Sequence, residues 1–212
     1  MNTIVIILIA LTVVTSIAGF NNSEFFDRGK FNVGAILYQK QWDRLLFSVF
    51  LHADWLHLFF NMFTLYVFSD EIIRNTGEPE YLLVYFAAAL GGNLLSLLIY
   101  RRNPHYSAIG ASGGVSGILF ASIAINPFTQ LYVFPLPIPI SGWLFGVLYL
   151  AYSIYGMKAQ LGNIGHAAHL GGASIGLLFA VIFLPGLLEV NGLYVAVMLV
   201  PLIALGYYIY KS

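Results

Sequence analysis

Residues 110–125 read Gly-Ala-Ser-Gly-Gly-Val-Ser-Gly-Ile-Leu-Phe-Ala-Ser-Ile-Ala-Ile. The stretch carries no charge, and a serine, Ser112, stands among small residues at its start. Such a run reads as a helix buried in lipid. Further on, a second apolar run opens with Ala168-His169-Leu170-Gly171-Gly172. A serine and a histidine at matching depths in two membrane helices are the parts a hydrolase would need inside the bilayer.

The composition supports the membrane reading. Of 212 residues, 59% are hydrophobic and 8% charged, where soluble domains carry about a quarter charged residues. So little charge cannot cover a water-facing surface, and most of the outside must meet lipid. The mean hydropathy of +0.84 agrees. The length suits one polytopic domain over residues 1–212. Nine basic and nine acidic residues balance, so no basic patch argues for nucleic acid. The chain has no cysteine, which excludes disulfides, thiolate metal sites and a cysteine nucleophile. Nothing in it signals an oligomeric state.

A spanning helix needs roughly 20 apolar residues. Seven stretches meet or approach this: residues 3–20, 56–68, 81–100, 112–125, 141–155, 167–188 and 193–210. The first lacks the basic start of a signal peptide and is nearly of spanning length, so it reads as a retained span. The second, fourth and fifth are short. Pro185-Gly186 should break the end of the sixth. The connection 21–55 holds much of the charge together with Trp42, Phe47, Phe50 and Trp55, as suits a segment dipping into the interface. Residues 134–139, with a proline at every second position, should form an extended surface loop.

Parity then brings the polar residues together. Even-numbered spans begin on one side of the membrane, and Ser112, His169, His57 and Asn61 all lie near the starts of such spans. His57 and Asn61 are four apart and share a helix face. Gly113 with Gly117, and Gly172 with Gly176, have the spacing that lets helices approach closely in lipid. That approach would put Ser112 Oγ within reach of a His169 ring nitrogen. The oxyanion formed on attack needs fixed donors, and the Ser112 N–H, His57 and Asn61 are the candidates. Each element also has a bland reading: a packing motif, a structural His–Asn pair, a satisfied core histidine. A metal or haem site using His166 with His169 is a further alternative, but His-Glu-x-x-His is absent.

The sequence resembles the rhomboid family of intramembrane serine proteases from about Trp42 to Gly176. The resemblance rests on Trp42 and Arg44, on His52, His57 and Asn61 in the spacing His-x4-His-x3-Asn, on Gly110-x-Ser112-Gly113, and on Ala168-His169-x-x-Gly172-x3-Gly176. It implies an all-α membrane fold of six core helices, about residues 1–188, plus one C-terminal span at about 193–210. Ser112 then looks like the nucleophile and His169 like its general base, with His57, Asn61 and the Ser112 N–H as oxyanion donors. Structural roles fall to His52, Arg44, Gly110, Gly113, Gly172 and Gly176. The implied partners are transmembrane protein substrates and the lipid bilayer, entering between the second and fifth helices, with no metal or cofactor. Some family members carry an aromatic residue four past the nucleophile, on which the base stacks; here that residue is Ser116. A catalytically silent relative that binds membrane clients would keep the same fold, although silent relatives lose the serine or the histidine.

Bacterial-type members have a cytoplasmic N-terminus and a site opening outward in the plasma membrane. That orientation leaves only Arg74 inside among the basic residues, whereas the positive-inside rule favours the reverse. The family orientation is retained as the expectation.

Overall fold

The computed structural model describes residues 2–132, 138–162 and 164–211. Helix α1 (Thr3–Asn21) is followed by the short α2 (Ser23–Gly29), β1 (Phe31–Asn32), α3 (Val33–Gln39), α4 (Arg44–Phe47) and a 3-10 turn, Ser48–Phe50. Next come α5 (Trp55–Thr76), α6 (Glu78–Tyr100), β2 (Ser107–Ala108) and α7 (Ser112–Ile125). After β3 (Gln130–Tyr132) and β4 (Pro139–Ser141), the chain ends in α8 (Gly142–Ala159), α9 (His166–Phe183) and α10 (Leu187–Lys211). Two antiparallel ribbons tie connections together, β1 to β2 and β3 to β4. Of the expected proline-rich loop, residues 133–137 lie outside the described residues, and Pro139 belongs to β4.

The protein is all-α and polytopic. Among the described residues α1, α6, α9 and α10 are long and apolar enough to cross a membrane, and a fifth span results if Arg44–Phe50 and α5, bent by 93° at their junction, are joined. Helix α5 runs eight residues past the expected Phe68, because Asp70, Glu71 and Arg74 end the apolar run without ending the helix. Arg74 pairs with Glu71 at 3.2 Å on its surface. Helix α9 stops at Phe183, just before Pro185, and α10 begins at Leu187, earlier than hydropathy alone marked. Helix α7 has only 14 residues, about 21 Å, which is about 9 Å less than the ~30 Å hydrocarbon core. From Gly113 to Ala124 every residue of it is buried, so it touches neighbouring helices rather than lipid.

Helices α6, α7 and α9 pack at the centre through small residues. A Cβ at Gly172 would run into the Gly113 carbonyl, and one at Gly176 into the Gly117 carbonyl. Gly92 faces the Ala168 carbonyl in the same way. Apolar burial drives little helix association in lipid, so this intimate backbone contact is what supplies the dispersion energy of the core.

The connection 21–55 is ordered by polar contacts. Arg44 is buried, with Nη1 donating to the carbonyls of Asp27 (2.8 Å) and Lys30 (2.7 Å) and Nε to Gln41 Oε1 (2.6 Å). Asn93 Nδ2, on α6, donates to the Leu45 carbonyl at 2.7 Å. Trp42 and Trp55 stay exposed, as interfacial anchors do.

Candidate active site

Ser112 is the first residue of α7. Helices α1, α2, α3 and α5 are each capped by an Asn or Asp side chain, but α7 has Ala111 at its N-cap and no side-chain cap. The first helical bond runs from Val115 N–H to the Ala111 carbonyl, 2.9 Å. The N–H groups of Ser112 and Gly113 therefore lie at a free helix end, where the dipole is positive and donors suit an anion. Gly110, just before, has φ +120°, and a Cβ there would meet the His57 ring 2.7 Å away. Only glycine combines that backbone conformation with that approach.

A chain of hydrogen bonds fixes this corner from α1. Ser16 Oγ donates to the Phe50 carbonyl at 2.9 Å and lies 2.9 Å from His52 Nδ1. Ala111 N–H donates to His52 Nε2 at 3.4 Å. With Nε2 accepting and the Ser16 proton already committed, His52 must carry its proton on Nδ1 and donate it to Ser16. His52 also packs edge-on against His57, with ring centroids 4.9 Å apart.

His57 and Asn61 sit one turn apart on α5, whose N-cap, Asp54, accepts from His57 N–H at 2.8 Å. Asn61 is buried, and its amide donates one bond, 2.9 Å, to the His57 carbonyl. An amide NH2 has two donors, so one remains for a ligand.

His169 occupies the first turn of α9. Its ring stacks on Tyr149 of α8 (centroids 5.8 Å, planes 22° apart) and meets His166 edge-on at 6.4 Å. Ser116 lies 3.2 Å from the Tyr149 hydroxyl. Ser112, Ser116, His57, Asn61, Tyr149 and His169 all line one cavity of about 500 Å3. Among the described residues no hydrogen bond joins Ser112 Oγ to His169. A serine hydroxyl turns on one torsion, and catalytic bonds often tighten only with substrate bound.

This cavity has two neighbours. One, of about 400 Å3, shares His57, Ala53, Ile109, Ile164 and Gly165 with it and adds the polar Lys30 and Ser107. The other, of about 490 Å3, shares Phe60, Thr64, Leu119 and Phe145 and adds Phe63, Val67 and Leu131, a mostly apolar lining between α5 and α8. Among the described residues no group of three or more His, Cys, Asp or Glu side chains is arranged to hold a metal ion.

The family model described as "Rhomboid domain" matches residues 39–186. This chain belongs to the rhomboid family. The matched range holds every motif residue named above, from Trp42 to Gly176. The rhomboid is 34% identical over 146 residues to RHOMBOID-like protein 12, mitochondrial, of Arabidopsis thaliana, covering 62% of this chain and 43% of that protein. It is 29% identical over 136 residues to Rhomboid protein 1, mitochondrial, of Saccharomyces cerevisiae, covering 62% and 39%. Rhomboid-like protease 1 of Toxoplasma gondii is 30% identical over 153 residues, covering 70% and 50%. The chain thus spans half or less of the length of these curated relatives.

Sequence reading named Ser112, His169, His57, Asn61 and His52, and all but His52 line the same cavity; His52 lies behind it, buried. It did not name Tyr149, Ser16, Asp54 or Asn93. Asp54 was legible, since Asp-x-x-His before an apolar run is a cap pattern. Asn93 is a polar side chain inside an apolar run, a standing signal for a buried partner. Tyr149 and Ser16 gave no signal, because each has its partners on other segments of the chain at no fixed spacing.

Proposed function

We propose that this rhomboid is an intramembrane serine endopeptidase that cuts membrane proteins within or beside their transmembrane segments. Ser112 Oγ attacks the peptide carbonyl carbon while His169 takes the hydroxyl proton. The carbonyl oxygen becomes an oxyanion, held by the Ser112 N–H, the free Asn61 N–H and the His57 ring. The intermediate collapses with cleavage of the C–N bond, and His169 returns its proton to the leaving amine. Water, deprotonated by His169, then attacks the acyl-serine, releasing the carboxylate product and restoring Ser112.

One observation carries this reading: Ser112, His169, His57 and Asn61 share a cavity that adjoins a second, bordered by Lys30 and Ser107, on one side and an apolar one between α5 and α8 on the other. The reaction needs both water and access for a lipid-embedded chain. The short α7 agrees, because a helix about 9 Å shorter than the bilayer core must have at least one end below the surface. His52, Arg44, Gly110, Gly113, Gly172 and Gly176 serve as structural supports in this reading. The whole chain acts as one domain, with a core over about residues 1–188 and α10 as the added span.

The rhomboid is a multi-pass membrane protein. The Arabidopsis and yeast relatives are mitochondrial by name and lend no support to a bacterial-type plasma membrane. For orientation we retain an extracytoplasmic site, on the side where α5, α7 and α9 begin; with seven crossings, a reporter after Lys211 belongs on that same side.

The test is cleavage of a single-span substrate in liposomes, wild type beside Ser112→Ala, with a fluorophosphonate probe for Ser112. Product and labelling from the wild type alone are expected. Equal product from both proteins would overturn the assignment of Ser112. A folded wild type that neither cleaves nor labels would leave the client-binding reading in its place.

A further inference from the structure

His169 must present one ring nitrogen to Ser112 and must not swing away when the cavity fills. Among the described residues no hydrogen bond holds its ring. Two aromatic contacts do: the stack on Tyr149 and the edge contact with His166. Tyr149 is itself fixed on three sides. Its hydroxyl meets Ser116 at 3.2 Å, and its ring lies against Phe120 (5.7 Å) and Phe145 (5.7 Å). Ser116 is one turn beyond Ser112 on α7, so the nucleophile's own helix grips the ring that orients the base.

We propose that Tyr149 is a positioning residue for His169, supplied by α8 and anchored on Ser116. The inference rests on the protease reading above and adds a dependence that α7 and α9 alone do not have. The small residue at position 116 leaves the space over His169 to a side chain from another helix, and hydrogen-bonds it there. Alignment of the base then depends on α8 being seated. Helix α8 also borders, through Phe145, the apolar cavity between α5 and α8. Any displacement of α8 toward or away from α5 moves the ring on which His169 rests.

A double-mutant cycle tests this. Turnover of a single-span substrate and the rate of fluorophosphonate labelling are measured in liposomes for wild type, Tyr149→Leu, Tyr149→Phe, Ser116→Ala and the Tyr149→Phe/Ser116→Ala double variant. Tyr149→Leu removes the stack, and kcat should fall by about 100-fold, the order of loss that misplacing a catalytic group by about an ångström produces. KM should stay within about twofold, and labelling should slow in parallel. Tyr149→Phe keeps the ring and loses the anchor, so kcat should recover to about one third of wild type. Ser116→Ala should match it, and the double variant should lose no more than either, since both remove one bond. A Tyr149→Leu protein with wild-type kcat, or one whose only change is a raised KM, overturns the proposal while leaving an active protease. Should Tyr149→Leu not fold, additive losses in the Phe/Ala cycle overturn it. A wild type that neither cleaves nor labels overturns the protease reading and this one with it.

Discussion

Gly172→Ala probes the contact on which the proposed Ser112–His169 dyad depends. The added methyl would sit on the Gly113 carbonyl, closer than any van der Waals contact allows, with backbone on both sides and no flexible side chain to yield. Helices α7 and α9 must therefore part by roughly an ångström at this level, one turn from His169 and one residue from Ser112. Overpacking of this kind costs about 1–3 kcal/mol, and an ångström of misplacement costs about 100-fold in rate. We expect a lower melting temperature in a fixed detergent and a fall in kcat on that order. Gly192→Ala is the control: its nearest neighbour is Leu188 Cβ at 3.8 Å, an ordinary contact, so stability and turnover should hold. Gly176→Ala, against the Gly117 carbonyl a turn deeper, should cost similar stability and less activity, since the shift lies farther from Ser112. A Gly172→Ala protein with wild-type melting and wild-type kcat would refute the close approach of α7 and α9.

Removing His52 orphans the buried Ala111 N–H and the Ser16 hydroxyl contact, so His52→Ala should destabilise the protein by about 1–3 kcal/mol, read by thermal unfolding; no loss would sink the bond chain from α1 to α7. The Arg28–Asp43 pair, 2.8 Å apart between α2 and the start of α4, gives a pH signature. The Arg28 hydrogen bond holds the Asp43 carboxyl below its usual range. A depressed folded pKa contributes stability above the ordinary carboxylate pKa and loses it as pH falls through the folded value. Both side chains are more than half exposed, so the contribution is under about 1 kcal/mol. Melting of wild type and Asp43→Asn should differ slightly at neutral pH and low salt and converge in acid; a gap that widens in acid would contradict the pairing.

The residues lining the candidate site were readable because their surroundings are local. Ser112 and His169 each open an apolar helix beside small residues, and His57 and Asn61 repeat at helical spacing. All four line one cavity. The glycine stripes were readable for the same reason, since a four-residue spacing defines a helix face whatever that face meets. Element ends were less legible. Hydropathy ended α5 at Phe68 because charge follows, although a helix leaving the bilayer keeps its backbone bonds in water.

The connection 21–55 shows the limit most plainly. Its composition marks an interfacial segment, but its order comes from Arg44 gathering the carbonyls of Asp27 and Lys30, and from Asn93 reaching in from α6. Carbonyls carry no sequence signature, so no pattern in the chain announces them as ligands of a buried guanidinium.

The sequence by itself determined an all-α membrane protein, its order of apolar helices, the faces bearing glycine, and the placing of Ser112 and His169 in the first turns of two apolar helices. Those features follow from helix periodicity and the cost of polar groups in hydrocarbon. Only the tertiary structure decided that Tyr149 of α8 backs His169, that Ser116 holds Tyr149, and that Ser16 of α1 fixes the tautomer of His52. Such pairings depend on the rotation and depth of each helix against its neighbours, which are set by side-chain packing across the whole bundle rather than by the spacing of residues along one chain.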